Sequence, residues 1–157
     1  MQLELERPKE AFSVDTSSFM AINENYEGVE REVVWAHVIE LITQGRLKTT
    51  RVVMVELKRN DADAHARLIP HRRTLVVSDS QLAAAAGRIA RQFPKMSRPL
   101  SPREKADQWV VALGQVKGLT VVTQEANAPG KIPATCRALE LDCIRLDQML
   151  ARADRPA

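Results

Sequence analysis

Phe12-Ser-Val-Asp-Thr-Ser-Ser-Phe-Met20 is the stretch that decides the fold. A short apolar run ends in an acid, Asp15, and two small hydroxyl residues, Thr16 and Ser17, follow it. Read as a buried strand, the run puts Asp15 at its carboxyl end, the edge where open α/β sheets bind ligands. Alone, an acid after an apolar run is most often a turn residue or a helix cap. The functional reading gains weight because later stretches repeat the arrangement: Glu56, Asp107 and Glu125 also lie at the edges of apolar runs.

Working outward, short apolar runs alternate with longer helical patterns. Glu32 to Thr43 has apolar residues at helical spacing, with Gly45 as its stop. Thr16 or Ser17 is expected to cap a short helix before it, and Asn23 to Gly28 reads as a loop. Leu47 to Thr50 reads as a strand and Arg51 to Lys58 as a helix on which Val52, Val53 and Glu56 share a face. A carboxylate on an apolar face is costly to bury unless it is paired or bound to a cation. Asn60 to Asp63 opens a short helix or loop, and Leu75 to Val77 reads as a strand. Ser78 caps a helix that runs to Phe93, and the proline-rich Pro94 to Pro102 reads as a basic loop. Ser101-Pro-Arg-Glu104 has the capping-box form and opens a helix that carries Asp107 near its start and ends at Gly118. Leu119 to Val122 is a strand that runs into Thr123 and Glu125. A turn at Pro129-Gly130, a helix from Ile132, a short strand at Cys143-Ile144 and a helix from Leu146 to Ala153 complete the chain.

This alternation predicts a three-layer α/β/α sandwich with a largely parallel central sheet. Strands covered on both faces read as continuous apolar runs, as these do. The expected organisation is a polar leader over 1–11, one domain over 12–153 and a short tail over 154–157. At 157 residues, 45% of them hydrophobic, the chain is long enough for one real core. Aromatics are only 4%, so Val, Leu, Ile and Ala must fill it. No apolar run approaches the ~20 residues that a membrane span needs, and the polar start has no signal-peptide pattern. The expectation is therefore a cytoplasmic protein with no membrane partner. Lys and Arg total 23 against 20 acids, a net charge of +3 that permits nucleic-acid binding without announcing it. Cys136 and Cys143 have no metal-like spacing with His and read as buried, reduced thiols. His37, His65 and His71 show no pairing that demands catalysis, and Trp109 falls on the apolar stripe of its helix.

Should the strands neighbour one another, Asp15, Glu56, Glu104, Asp107 and Glu125 share a pocket. Their repulsion would then raise their pKa values unless a cation is present. Oxygen ligands without His or Cys suit Mg²⁺ or Mn²⁺. Such ions support water attack on phosphodiesters. Thr16, Ser17 and Thr123 are placed to orient the carboxylates. No glycine-rich phosphate loop is present, which disfavours a P-loop nucleotidase.

Four pieces carry a family resemblance: Val14-Asp-Thr-Ser17, Val55-Glu-Leu57, Glu104-Lys-Ala-Asp-Gln-Trp-Val-Val-Ala112, and Thr120-Val-Val-Thr-Gln-Glu125 with Lys131-Ile-Pro133 and Cys143-Ile144. In this order they resemble the PIN-like domain superfamily, above all the branch of bacterial toxin–antitoxin ribonuclease toxins. The resemblance covers about Phe12 to Leu150. It implies a Mg²⁺-dependent (or Mn²⁺-dependent) endoribonuclease, the toxin of a type II pair, partnered by a cognate antitoxin and often a homodimer. It implies Asp15, Glu56, Asp107 and Glu125 as the catalytic, metal-binding acids, with Glu104 as a further candidate where the family often has Asp. Ser17 stands where the family often has Asn. RNA phosphates would then meet some of Arg46, Lys48, Arg51, Arg72, Arg73, Lys95, Arg98 and Lys131. The alternatives are a binding or regulatory module of the same fold that does not cleave, and a flavodoxin-like or receiver-like domain. The latter has no place for the acids at 107 and 125.

Overall fold

A computed structural model describes residues 9–97 and 105–154. Among them, β1 (Phe12–Val14), β2 (Leu47–Thr50), β3 (Val76–Val77), β4 (Thr120–Val122) and β5 (Cys143–Ile144) form one sheet in the order β3-β2-β1-β4-β5. Every pairing is parallel. Parallel neighbours need crossovers, and the helices supply them. They are α1 (Thr16–Asn25), α2 (Gly28–Thr43), α3 (Arg51–Asn60), α4 (Ala62–Leu68), α5 (Arg72–Leu75), α6 (Asp79–Gln92), α7 (Pro94–Ser97), α8 (Asp107–Lys117), α9 (Ile132–Ala138) and α10 (Leu146–Ala153). The result is the three-layer α/β/α sandwich expected from the alternation.

The central strand β1 is buried along its whole length, as a strand covered on both faces must be. Phe12, Phe19, Ile22, Leu41, Ile42 and Leu47 form the heart of the core. α8 packs across β1, β2 and β4. The buried Ser13 hydroxyl donates to the Val110 carbonyl of α8 at 2.8 Å, which locks helix to sheet. Close approach is possible because α8 has a glycine where it meets β4: a Cβ on Gly114 would lie 2.6 Å from Val121 Cγ2. Gly118 then ends α8 in the left-handed conformation at φ 67°, where glycine carries no steric penalty.

Several element boundaries differ from the sequence reading. α1 continues through Asn25, so the expected loop shrinks to Tyr26 and Glu27. The reason is tertiary: the Asn23 side chain accepts from Trp35 Nε1 and donates to Asp61 and Asp63. Asp15, rather than Thr16 or Ser17, occupies the N-cap position of α1. Pro94 does not begin a loop. It opens α7, where its missing N–H costs nothing. The Ser101-to-Glu104 capping box lies outside the described residues, and α8 begins at Asp107.

The strand order places the site. From β1 the chain steps to β2 and β3 on one side, then returns to β4 and β5 on the other. The β1–β4 boundary is therefore the topological switch point, where the crossovers diverge and leave a crevice at the carboxyl edge. Asp15 leaves β1 there, and Thr123 and Glu125 leave β4 there, since Val14 is in register with Val122.

Candidate functional site

Asp15 is buried, and its Oδ2 accepts from Ser17 Oγ at 2.9 Å and from Thr123 Oγ1 at 3.0 Å. Each hydroxyl has one proton, and each spends it on Asp15. Their lone pairs are used as well: Ser17 Oγ accepts from the Gln124 N–H at 3.0 Å and Thr123 Oγ1 from the Glu125 N–H at 3.2 Å. The two loops are thus tied to one carboxylate by neutral donors. These bonds and one from the Thr16 backbone favour the charged form, but burial, then the nearby Glu125, outweighs them and pushes the Asp15 pKa up to about 6.

Asp107 is the first residue of α8 and is half-buried. Its pKa is pushed up to about 8, chiefly by burial and then by Glu125, Asp15 and Glu56. Lys105 partly opposes this. Glu125 is also raised, mainly by burial. The Ile132 N–H, at 3.4 Å from its Oε2, and the Lys131 charge work the other way. Glu56 sits on α3, where Thr50 caps the first turn by accepting from the Val53 N–H. Its Oε2 accepts from Thr16 Oγ1 at 2.6 Å and its Oε1 from the Ala106 N–H at 2.8 Å. Glu56 therefore links α1 to the start of α8, bringing the Asp107 turn toward Asp15.

The four expected acids do converge: each of Asp15, Asp107 and Glu125 feels at least one of the others, and Glu56 acts on both Asp107 and Glu125. Convergence is electrostatic rather than a finished cage. Among the described residues no three His, Cys, Asp or Glu side chains stand in ion-holding geometry. Like charges separate when nothing holds them together, and Glu56 has both oxygens engaged elsewhere. The remaining acid expected here, Glu104, lies outside the described residues, as does Arg98. Thr16, Ser17 and Thr123 all contact the acids they were expected to orient.

The basic candidates separate into different environments. Arg46 is a correction: it is buried, and its guanidinium donates to Glu10 O, Gln44 Oε1 and Ala153 O. It ties the sheet's amino edge to the last helix and offers no surface to a phosphate. Arg51 is paired with Asp79 at 2.8 Å. Lys48 donates to the Thr74 carbonyl and, with Arg73 and Lys117, lines a cavity of about 280 Å³ beside β3. Arg72 donates to the Ile69 carbonyl, and Lys95 is exposed. Lys131 is the expected cation whose charge reaches the acids. Sequence reasoning missed Lys105, which acts on the same acids, and Arg145, which follows β5 as Asp15 follows β1. The signal for Arg145 was there, because every residue just past a parallel strand lies on the same edge.

Trp109 packs against both hydrophobic clusters, as its place on the apolar stripe implied. Cys136 is buried and Cys143 half-buried; both are free thiols, hydrogen-bonded to each other. No helix among the described residues is long and apolar enough to cross a membrane. No curated protein matches the chain. A family model described as a domain of unknown function (DUF4411) matches residues 12–155, and the chain belongs to that family.

Proposed function

We propose that the protein is a Mg²⁺-dependent or Mn²⁺-dependent endoribonuclease with a PIN-like fold. The observation that carries this reading is the meeting of acids from separate elements at the switch point, with Asp15 and Asp107 held above the ordinary carboxylate range. A protein gains nothing in stability from burying undercompensated acids together, so the cluster calls for more positive charge than Lys105 and Lys131 supply. The donor chemistry fits a hard divalent ion, because every group is a carboxylate oxygen. Asp15 and Asp107 would be the principal ligands, with Glu125 and Glu56 completing or tuning the site, and Glu104 a further candidate. When bound, such an ion lowers the pKa of water and offsets the charge developing on a phosphodiester.

The chain's own residues do the positioning. Ser17 and Thr123 hold the Asp15 carboxylate in one orientation through the two bonds to Oδ2. Glu56 fixes the turn that presents Asp107. Lys131 and Lys105 place positive charge near Glu125, where a phosphate approaching a cluster of acids needs it. Burial of Asp15 keeps bulk water from screening these interactions.

The resemblance to toxin-type PIN-like domains supports RNA as substrate and an antitoxin as partner. Val29 and Val33, one turn apart on α2, are 81% and 62% exposed and support an apolar contact with that partner or with a second copy. A second reading, a module of the same fold that binds without cleaving, draws on the engaged oxygens of Glu56 and the absence of a preassembled ion site among the described residues. Purified protein incubated with total cellular RNA separates the two. Fragments that appear with Mg²⁺ or Mn²⁺ and vanish with EDTA and in Asp15→Asn are expected. Cleavage that persists in Asp15→Asn would remove the site from the reaction.

A further inference from the structure

The carboxyl edge carries an arginine that the acids do not use. Arg145 directly follows β5, and Ile144 is in register with Val122, which is in register with Val14. Arg145 is therefore level with Thr123 and Asp15, two strands from Asp15, or about 10 Å at the usual strand spacing. Its backbone is fixed: its N–H donates to Gln148 Oε1 at 2.8 Å, and the next N–H, of Leu146, donates to Gln124 Oε1 at 2.8 Å. Its guanidinium is not. Among the described residues its hydrogen bond is a long one, Nη1 to the Gln124 carbonyl at 3.3 Å, and no carboxylate pairs with it. Arg67 and Arg152, by contrast, are neutralised, the first by Glu32 and Asp63 and the second by Glu10 and Asp142.

The space around Arg145 is shaped on both sides. One cavity, of about 200 Å³, is lined by Thr123, Glu125, Asn127 and Gln148 together with Arg145. The other, of about 310 Å³, is lined by Ser17, Met20, Glu24 and Asn25 together with Arg145. Thr123 and Ser17, the two residues that orient Asp15, each border one of them. Both cavities carry an acid, Glu125 or Glu24, so neither suits an anion in its depth. Both carry amide side chains, which can donate to and accept from base edges. An unpaired guanidinium between two neutral-accepting cavities matches a phosphate with a nucleoside on either side.

We propose that Arg145 holds a phosphate of single-stranded RNA beside the acid cluster, with the flanking nucleosides seated in the two cavities that it separates. Arginine suits the task because its planar fork gives two parallel donors to one phosphate. Single strands suit it because their bases can be splayed apart into separate cavities. The proposal rests on the nucleolytic reading of the neighbouring carboxylates, but it concerns binding and is tested by binding.

The experiment is fluorescence anisotropy of a labelled 12-nucleotide single-stranded RNA, with Mg²⁺, on Asp15→Asn protein so that the probe stays intact. Arg145→Ala, Arg145→Lys and, as a surface control, Arg88→Ala are compared on that background, with thermal melts to confirm folding. Arg145→Ala is expected to weaken binding about ten-fold and to reduce the slope of log K against log salt by roughly 0.7. Arg145→Lys should restore the salt slope and part of the affinity, and Arg88→Ala should change neither. Binding by folded Arg145→Ala within two-fold, with the same salt slope, overturns the proposal, as does failure of the parent protein to bind the RNA. Cleavage by otherwise wild-type protein is scored separately. Arg145-dependent binding without cleavage would sink the nuclease reading alone, and cleavage with Arg145-independent binding would sink this proposal alone.

Discussion

Asp107 shows most clearly what the proposed site would cost the fold. It opens α8 with burial and three other acids acting on it, and its carboxyl is held up to about 8. Among the described residues nothing donates a hydrogen bond to it. Ionising it in the metal-free protein therefore costs folding energy that the native contacts do not return. Asp107→Asn removes the charge and keeps the size. Metal-free Asp107→Asn should be more stable than the parent at pH 8, by several kcal/mol (about 5 on the full shift), while RNA cleavage is lost. Urea melts in EDTA check the first half and the RNA assay the second. A variant that is less stable than the parent in EDTA would mean that the carboxylate is a structural partner. Ser17 and Thr123 illustrate the opposite case, because both of their hydroxyl protons are committed to Asp15.

At the scale of elements, α8 is the piece that positions the site, and Gly114 is what lets it lie close. A methyl at this position would meet Val121 Cγ2 at 2.6 Å and the Leu119 carbonyl at 3.1 Å, so helix or strand must move. Gly114→Ala should destabilise the fold by roughly 1–3 kcal/mol, the usual range for overpacking. It should also lower cleavage more than the loss of folded protein explains, because Asp107 and Val110 move with α8. Chemical denaturation beside specific activity per folded molecule measures both. Unchanged stability would show that α8 and β4 are not as tightly docked as the contact implies. The strands were legible in the sequence because buried parallel strands are apolar on both faces, and Phe12, Leu47 and Val121 show it. The acids were legible because each follows or faces an apolar run. Helix ends were less so: Asn23, a loop former by propensity, is recruited into α1 by Trp35, Asp61 and Asp63, which are distant in sequence. Arg46 was misread for the same reason, since no local pattern announces that its partners are the carbonyls of Glu10 and Ala153.

For the whole molecule, the acid cluster ties stability to pH and, on the proposed reading, to divalent ions as well. In the unfolded chain Asp15 and Asp107 titrate near 3.8; in the folded chain they titrate near 6 and near 8. Between those values the folded state binds more protons than the unfolded one, so stability falls as pH rises. The contribution is whole below about pH 4 and is lost as pH climbs through 6 and then 8. In EDTA, raising the pH from 5 to 8 should cost about 5 kcal/mol on these shifts, mostly through Asp107, which for a domain of this size lowers the melting midpoint by roughly 10–20 °C. Millimolar Mg²⁺ should recover much of that loss at pH 8 and little at pH 5, where protons compete for the same oxygens. The Asp15→Asn, Asp107→Asn double variant should flatten both the pH profile and the Mg²⁺ response. Surface pairs such as Arg67 with Glu32 and Asp63 leave this trend unchanged, because the arginine holds both carboxyls below their ordinary range and they stay ionised, folded or unfolded, from pH 5 to 8. Differential scanning fluorimetry across pH, with and without Mg²⁺, reads all three expectations. A midpoint that is flat from pH 5 to 8 in EDTA would mean that the acids are already compensated inside the fold, and the case for a cation at the switch point would lose its physical basis.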